Sequence, residues 1–197
     1  MTKKDCDKAC EKGRQNRERI VEAADNLFYQ KGFNQTSFAE VAEASGIPKG
    51  NFYYYFKAKD ELLNAVIDMR LDTIRTLLKD CEIRYQHPLD RLYRIADIPV
   101  DEADNILHHG CPMGSLNAEL CKTQEELKNH AAEMFSLLVD WCEREFIALG
   151  KADESRFLAM HFIAMLQGAA LLSNVYSDRD YLEKEVATIK AWLKHFS

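Results

Sequence analysis

Three neighbouring residues, Lys49, Gly50 and Asn51, carry the most pointed chemistry in the chain. A lysine ammonium can donate to guanine O6 or N7, and an asparagine amide can pair bidentately with adenine. A glycine between them lets the backbone approach a bulky partner closely. Phe52-Tyr53-Tyr54-Tyr55-Phe56 follow directly. On a helix successive side chains turn by about 100°, so five consecutive bulky aromatics cannot all point inward. Phe52 and Phe56, four apart, are expected to pack a small core. Tyr53 and Tyr54 are expected to face outward, where a phenolic hydroxyl can bond a phosphate. Lys59 adds a cation at the next helix start. Thr36 and Ser37, at the start of the preceding helix, complete the expected DNA-contact set, with Thr36 reaching a phosphate.

A second group sits at Gly110-Cys111-Pro112. Gly110 fits the end of one helix and Pro112 the first position of the next, which puts Cys111 near an N-cap. Free N–H groups and the helix dipole there favour a thiolate, and a thiolate reacts with oxidants and electrophiles. His108 and His109 lie beside it and add positive charge when protonated. Three readings stay open: Cys111 as structure at a helix junction, as a sensing thiol with Cys121 or Cys142 as resolving partner, or as a metal ligand with the two histidines. No fourth ligand is placed by spacing, so neither a metal nor a cofactor is expected. A pocket for a small apolar or aromatic compound is a further possibility, lined by Met113, Asn117, Phe135, Trp141, Phe162, Met165 and Tyr176.

The elements that must position these groups are helices. Ile20, Ala23, Ala24, Leu27 and Phe28 follow a 3.6-residue period that Gly32 stops. Thr36 or Ser37 can cap a short second helix with Phe38, Val41 and Ala42 on its inner face, and Gly46 ends it. Pro48 suits the first turn of a third. Helix, short helix, glycine-containing turn, helix is helix-turn-helix spacing. Beyond it, apolar stripes run from Leu62 to Leu78, from about Leu89 to His108 with a disturbance at Pro99, and from Met113 to Cys121. Thr123 to Glu126 read as a capping box opening a helix through Trp141 to Phe146. Two last helices follow, one apolar nearly all round between 157 and 172. About nine helices and no strand give an all-α fold: a three-helix DNA-binding domain over 12–57 and a larger helical regulatory and dimerisation domain over 58–197.

Composition sets the limits. The 197 residues carry a net charge of −6, but residues 1–62 balance to +1 and the remainder to −7. The first third can therefore touch a polyanion. Six cysteines without a CxxC pattern, in a chain whose polar N-terminus lacks a signal-peptide core, are expected to be reduced thiols of a cytoplasmic protein. No uninterrupted apolar run is long enough for a membrane span. Cys6 and Cys10 are weakly suited to metal. There is no GxSxG, HExxH, P-loop or GxGxxG, so an enzyme is not expected. A small helical enzyme and a DNA binder without a ligand are the alternatives.

The stretch from Lys31-Gly32-Phe33 through Thr36-Ser37, Glu40-Val41-Ala42, Ala44-Ser45-Gly46-Ile47, Lys49-Gly50, Phe52-Tyr53 and Tyr55-Phe56 to Lys59-Asp60-Glu61-Leu62 resembles the DNA-binding module of TetR-like transcriptional regulators. Tyr54-Tyr55 departs from the pattern, since many members carry histidine at one or both places. The Gly110-to-Leu120 stretch is similar to one in a subgroup of such regulators, some of whose cysteine-bearing members sense electrophiles or reactive oxygen and chlorine species. The resemblance implies a homodimer through the last two helices. It implies a repressor bound to a palindromic double-stranded operator until a small ligand or thiol-reactive signal releases it.

Overall fold

The structure, a computed structural model, describes the backbone of residues 3–121 and 125–196, and their side chains except at 3–10 and at Lys49. The side chains of Cys6 and Cys10, and Thr123 of the expected capping box, therefore lie outside the described residues. Within them the chain forms ten α-helices, two 3-10 turns and no strand. The helices are α1 (Lys3–Lys31), α2 (Phe38–Ser45), α3 (Lys49–Tyr55), α4 (Lys59–Arg84), α5 (Pro88–Asp101), α6 (Ala103–His109), α7 (Pro112–Leu120), α8 (Glu125–Ala148), α9 (Ser155–Tyr176) and α10 (Arg179–Leu193). The expected nine become ten because the stretch around Pro99 is two helices. Proline removes a backbone donor and crowds the preceding turn. The chain passes through Pro99 in helical form and then breaks at Glu102, whose ψ of 20° leaves the helical region.

The N-terminal unit closes over aromatic residues. Phe28, Phe33, Phe52 and Phe56 are buried together with Ile20, Ala24, Val41, Ala42 and Ile47. Phe38 packs edge-on to Phe52 with ring centroids 5.0 Å apart. Ser37 caps α2: its hydroxyl accepts from the Glu40 N–H, while the Glu40 carboxylate accepts from the Ser37 N–H. This reciprocal pair satisfies two donors that a helix start leaves free. Gly46 ends α2 in the left-handed region at φ 65°, where a side chain would be strained.

The rest of the chain is a bundle. α8 runs between α4 and α9, α10 lies on α5 and α9, and α7 packs on α8. Trp141, Met134, Phe146 and Phe162 fill its centre. The buried residues form one continuous cluster from Ile20 to Leu193, so the N-terminal unit shares its packing with the bundle. α9, with the turn before it, is long and apolar enough on mean hydropathy to cross a membrane, although its apolar run is interrupted. Here its inner face, Leu158, Phe162, Ile163, Leu166 and Ala169, is core of the bundle.

Candidate nucleic-acid interface

The short helix α3 is built from both sides. Pro48 leads into it, and the Asn51 and Phe52 N–H groups donate to the Pro48 carbonyl. Seven residues are too few for a helix to hold itself in water. α3 is held by Phe52 and by Phe56 just beyond its end, which face inward as expected. The Asn16 side chain donates to the Tyr55 hydroxyl at 3.1 Å, tying α1 to the far end of α3. The Arg17 guanidinium stacks 5.0 Å from the centre of the Phe56 ring. Arg19 donates to the Ser45 carbonyl at 2.7 Å and so grips the end of α2.

The opposite face of α3 is open. Gly50 and Asn51 are exposed, with nothing near the place a Gly50 side chain would occupy. Tyr53 and Tyr54 are 53% and 79% exposed. A half-exposed Tyr53 still leans on Phe38, ring to ring at 5.8 Å. The backbone of Lys49 stands at the start of the helix, and its side chain lies outside the described residues. This face carries hydrogen-bonding groups above an aromatic base, which suits base edges and phosphates.

One of the expected contacts needs correction. Thr36 is only 2% exposed, and its hydroxyl donates to the Gly32 carbonyl at 2.8 Å. It cannot reach a phosphate, because its role is to close the turn after α1. Lys59 is partly buried, with its ammonium 4.4 Å from the centre of the Phe33 ring. Burial lowers its affinity for a proton, opposed by the nearby Glu119, Asp60 and Glu40 carboxylates. Ser37 is exposed, but its hydroxyl is engaged with Glu40. The Glu40 carboxyl is pulled down to about 2 by the Lys31 ammonium, 2.8 Å away, and by the Ser37 donors.

In the C-terminal half, Cys111 is the N-cap of α7, as its neighbours predict, and its Sγ accepts from the Gly114 N–H at 3.4 Å. The thiol is half-buried. Cys121 is exposed, while Cys142 is fully buried and its thiol is pushed up by desolvation. A neutral, buried thiol is a poor partner for exchange. The His108 ring bonds the Asp104 carbonyl and His109 packs against Tyr29. Among the described residues no three His, Cys, Asp or Glu side chains are grouped to hold a metal.

The residues of the expected pocket set differ in exposure and in what they touch. Trp141 and Phe162 are core, and Trp141 spends its indole N–H on Glu82 at 2.8 Å. Tyr176, 75% exposed, stands at the outer end of α9. Asn117 ties α7 to α8 by donating to the Met113 and Ala131 carbonyls. Met113, Phe135 and Met165 are half-buried. A cleft of about 690 Å³ lies elsewhere, between α1 and α4, with Arg17, Glu22, Asp68, Met69 and Asp72 in its walls. Residue types gave a list of lining groups. Only the way helices pack could say which share a space.

Other residues do matter at the join between the halves and carried no local signal. Tyr29 donates its hydroxyl to the Gly110 carbonyl at 2.7 Å. Arg70 reaches both Asp25, at 2.5 Å, and the Pro112 carbonyl, at 2.7 Å. Their partners are 42 to 81 residues away in sequence.

Comparison with known proteins agrees with this geometry. Residues 20–66 match the family of bacterial regulatory proteins of the tetR type, and residues 92–187 match the C-terminal domain of LmrA/YxaF-like transcriptional regulators. An uncharacterized HTH-type transcriptional regulator in the lacX 3′ region of Lactococcus lactis subsp. lactis is 33% identical, over 90% of this chain and 92% of its own. The HTH-type transcriptional repressor DhaR of a Mycobacterium species (strain GP1) is 23% identical over 88% of this chain and 89% of its own. A TetR transcriptional regulator from Legionella pneumophila superposes with a TM-score of 0.80 at 26% identity, covering 88% of this chain and 95% of that one. With its helix-turn-helix, its exposed α3 face and its helical second half, the chain belongs to the TetR family of DNA-binding transcriptional regulators, and it is not an enzyme.

Proposed function

We propose that the protein is a cytoplasmic, homodimeric repressor, with residues 12–57 reading a palindromic operator and residues 58–197 pairing the two copies and receiving the release signal. The observation that carries this reading is the outer face of α9. Phe157, Met160, Leu171, Leu172, Val175 and Tyr176 are all exposed there, at helical spacing. A stripe of that size along one helix is costly to leave in water and fits a self-complementary interface. α10 beside it presents the small Ala187, Thr188 and Ala191, which let a partner helix come close. A relative named as a repressor supports the sign of the regulation. For the signal, the half-buried Cys111 at the start of α7 supports thiol chemistry, and a small-molecule ligand is the other form the signal takes.

The test joins assembly to binding. Leu171→Glu combined with Val175→Glu places four carboxylates at a paired interface. The variant is expected to sediment as a monomer and to bind a palindrome about 10²–10⁴-fold more weakly, since the second half-site no longer adds to the first. A variant that stays dimeric places the interface elsewhere. For the signal, N-ethylmaleimide is titrated into the DNA complex of wild type and of Cys111→Ser. Release confined to wild type assigns the signal to Cys111, and equal behaviour assigns it to a bound ligand.

A further inference from the structure

We propose that Glu119, on α7 of the regulatory half, is a positioning residue for DNA reading: its carboxylate holds the turn between α1 and α2 and so fixes how the helix-turn-helix is presented. The turn satisfies some of its own groups. The Gly32 N–H donates to the Phe28 carbonyl and the Thr36 N–H to that of Phe33. The Thr36 hydroxyl donates to the Gly32 carbonyl. The next two N–H groups leave the unit. Phe33 N–H donates to Glu119 Oε2 at 2.9 Å, and Asn34 N–H donates to Glu119 Oε1 at 2.7 Å. Successive N–H groups in a tight turn form a concavity that suits an anion, and here a carboxylate from another part of the chain occupies it.

The turn is shaped around this carboxylate. Gly32 has a φ of +89°, and a Cβ placed on it would stand 3.2 and 3.4 Å from the two Glu119 oxygens. Lys59 completes the cluster. Its ammonium lies over the Phe33 ring and donates to the Asn34 carbonyl at 3.4 Å. Two bonds from one planar carboxylate to two adjacent amides fix direction as well as distance.

The same segment is gripped elsewhere. Gly110 and Pro112 give their carbonyls to Tyr29 of α1 and Arg70 of α4, and Arg70 also pairs with Asp25 of α1. Leu107 gives its carbonyl to the Asn174 side chain of α9 at 3.0 Å. The stretch from Leu107 to Glu119 is thus tied at one end to α9 and along its length to α1, to α4 and to the turn after α1. Glu119 is its last grip and the one nearest α2. Releasing it leaves the helix-turn-helix folded but free to take several angles. Only a fraction of those angles matches the groove, and affinity falls by that fraction. The loss counts in each copy of a two-fold assembly, where both recognition helices must meet successive major grooves together.

The experiment uses the full-length protein and a labelled duplex carrying the sequence that wild type selects from a random-sequence library. Glu119→Ala is expected to weaken binding about 10- to 100-fold, the scale of one or two lost hydrogen bonds to a charged group. The slope of log affinity against log salt should stay at the wild-type value, because the phosphate contacts are the same. Hydrogen exchange should quicken at the Phe33 and Asn34 amides while protection in α2 and α3 is kept. Glu119→Gln keeps the size, retains one acceptor and sets an amide N–H against the other donor, so it should show the same pattern more weakly. It also serves if the alanine variant does not fold. Wild-type affinity in both variants overturns the proposal, as do unchanged exchange at the two amides, a changed salt slope, or loss of protection throughout α2 and α3.

Discussion

Replacing Phe52 by alanine tests whether α3 exists because of its buried aromatic. Phe52 is 1% exposed and packs edge-on to Phe38, itself half-buried. Removing a buried phenyl group costs about 3–5 kcal/mol through lost transfer energy and the cavity left behind. The neighbours here have little room to collapse, since Phe56 just beyond the end of α3 and Val41 and Ala42 on α2 are themselves buried. We take about 4 kcal/mol, a shift of roughly a thousandfold in the ratio of closed to open unit. A helix of seven residues has no reserve of its own. The bundle keeps its packing through Trp141, Phe146 and Phe162. Phe52→Ala should therefore lose sequence-specific DNA binding while most of the helical circular dichroism survives at 25 °C. Phe52→Leu, which keeps most of the volume, should cost about 1–1.5 kcal/mol and retain measurable binding. Titrations of both variants against one labelled duplex, with urea unfolding followed in parallel, give the comparison. An alanine variant that binds like wild type would refute the reasoning, because α3 would then be held by something other than its core face.

The outward residues divide by what they touch. Tyr53→Phe should weaken binding to all sequences alike, whereas Asn51→Ala should relax preference at one base pair of each half-site; selection from a random library separates the two, and an intact preference in Asn51→Ala would mean a different register for α3. Glu145, 4% exposed, is paired with Arg91 at 3.2 Å, so Arg91→Met should destabilise the bundle by about 3 kcal/mol at neutral pH, the low end for a broken buried pair because Arg91 keeps some solvent. Burial raises the Glu145 carboxyl above its usual range, with Arg91 opposing. The folded state thus holds this proton more tightly than the unfolded one, and the group's contribution to stability falls as pH rises from the unfolded to the folded value. The stability of Glu145→Gln relative to wild type should therefore increase between about pH 4 and pH 7; urea midpoints at the two ends check it, and the opposite trend would refute it.

Much of this protein was legible in the residues themselves. The period of Ile20 to Phe28, the stop at Gly32 and the run Phe52 to Phe56 specify a helix-turn-helix, because each signal acts within a few residues of itself. Which tyrosines face out follows from helix geometry alone, and so does the place of Cys111 at a helix start. Thr36 was the local failure. Thr36 and Ser37 are both good caps, and only the closing of the turn onto Gly32 chose Ser37 for the helix and buried the other. The pocket set is a different case. Met113, Trp141, Phe162 and Tyr176 lie on three different helices, and whether such side chains share a space depends on crossing angles that no single segment encodes. The grip of Glu119 on Phe33 and Asn34 spans 85 to 86 residues. Glutamate at that place in the chain is an ordinary helix residue. It becomes a holder of the DNA-reading unit only when α7 packs beside the end of α1, because a hydrogen bond depends on where two groups lie in space and is indifferent to their distance along the chain.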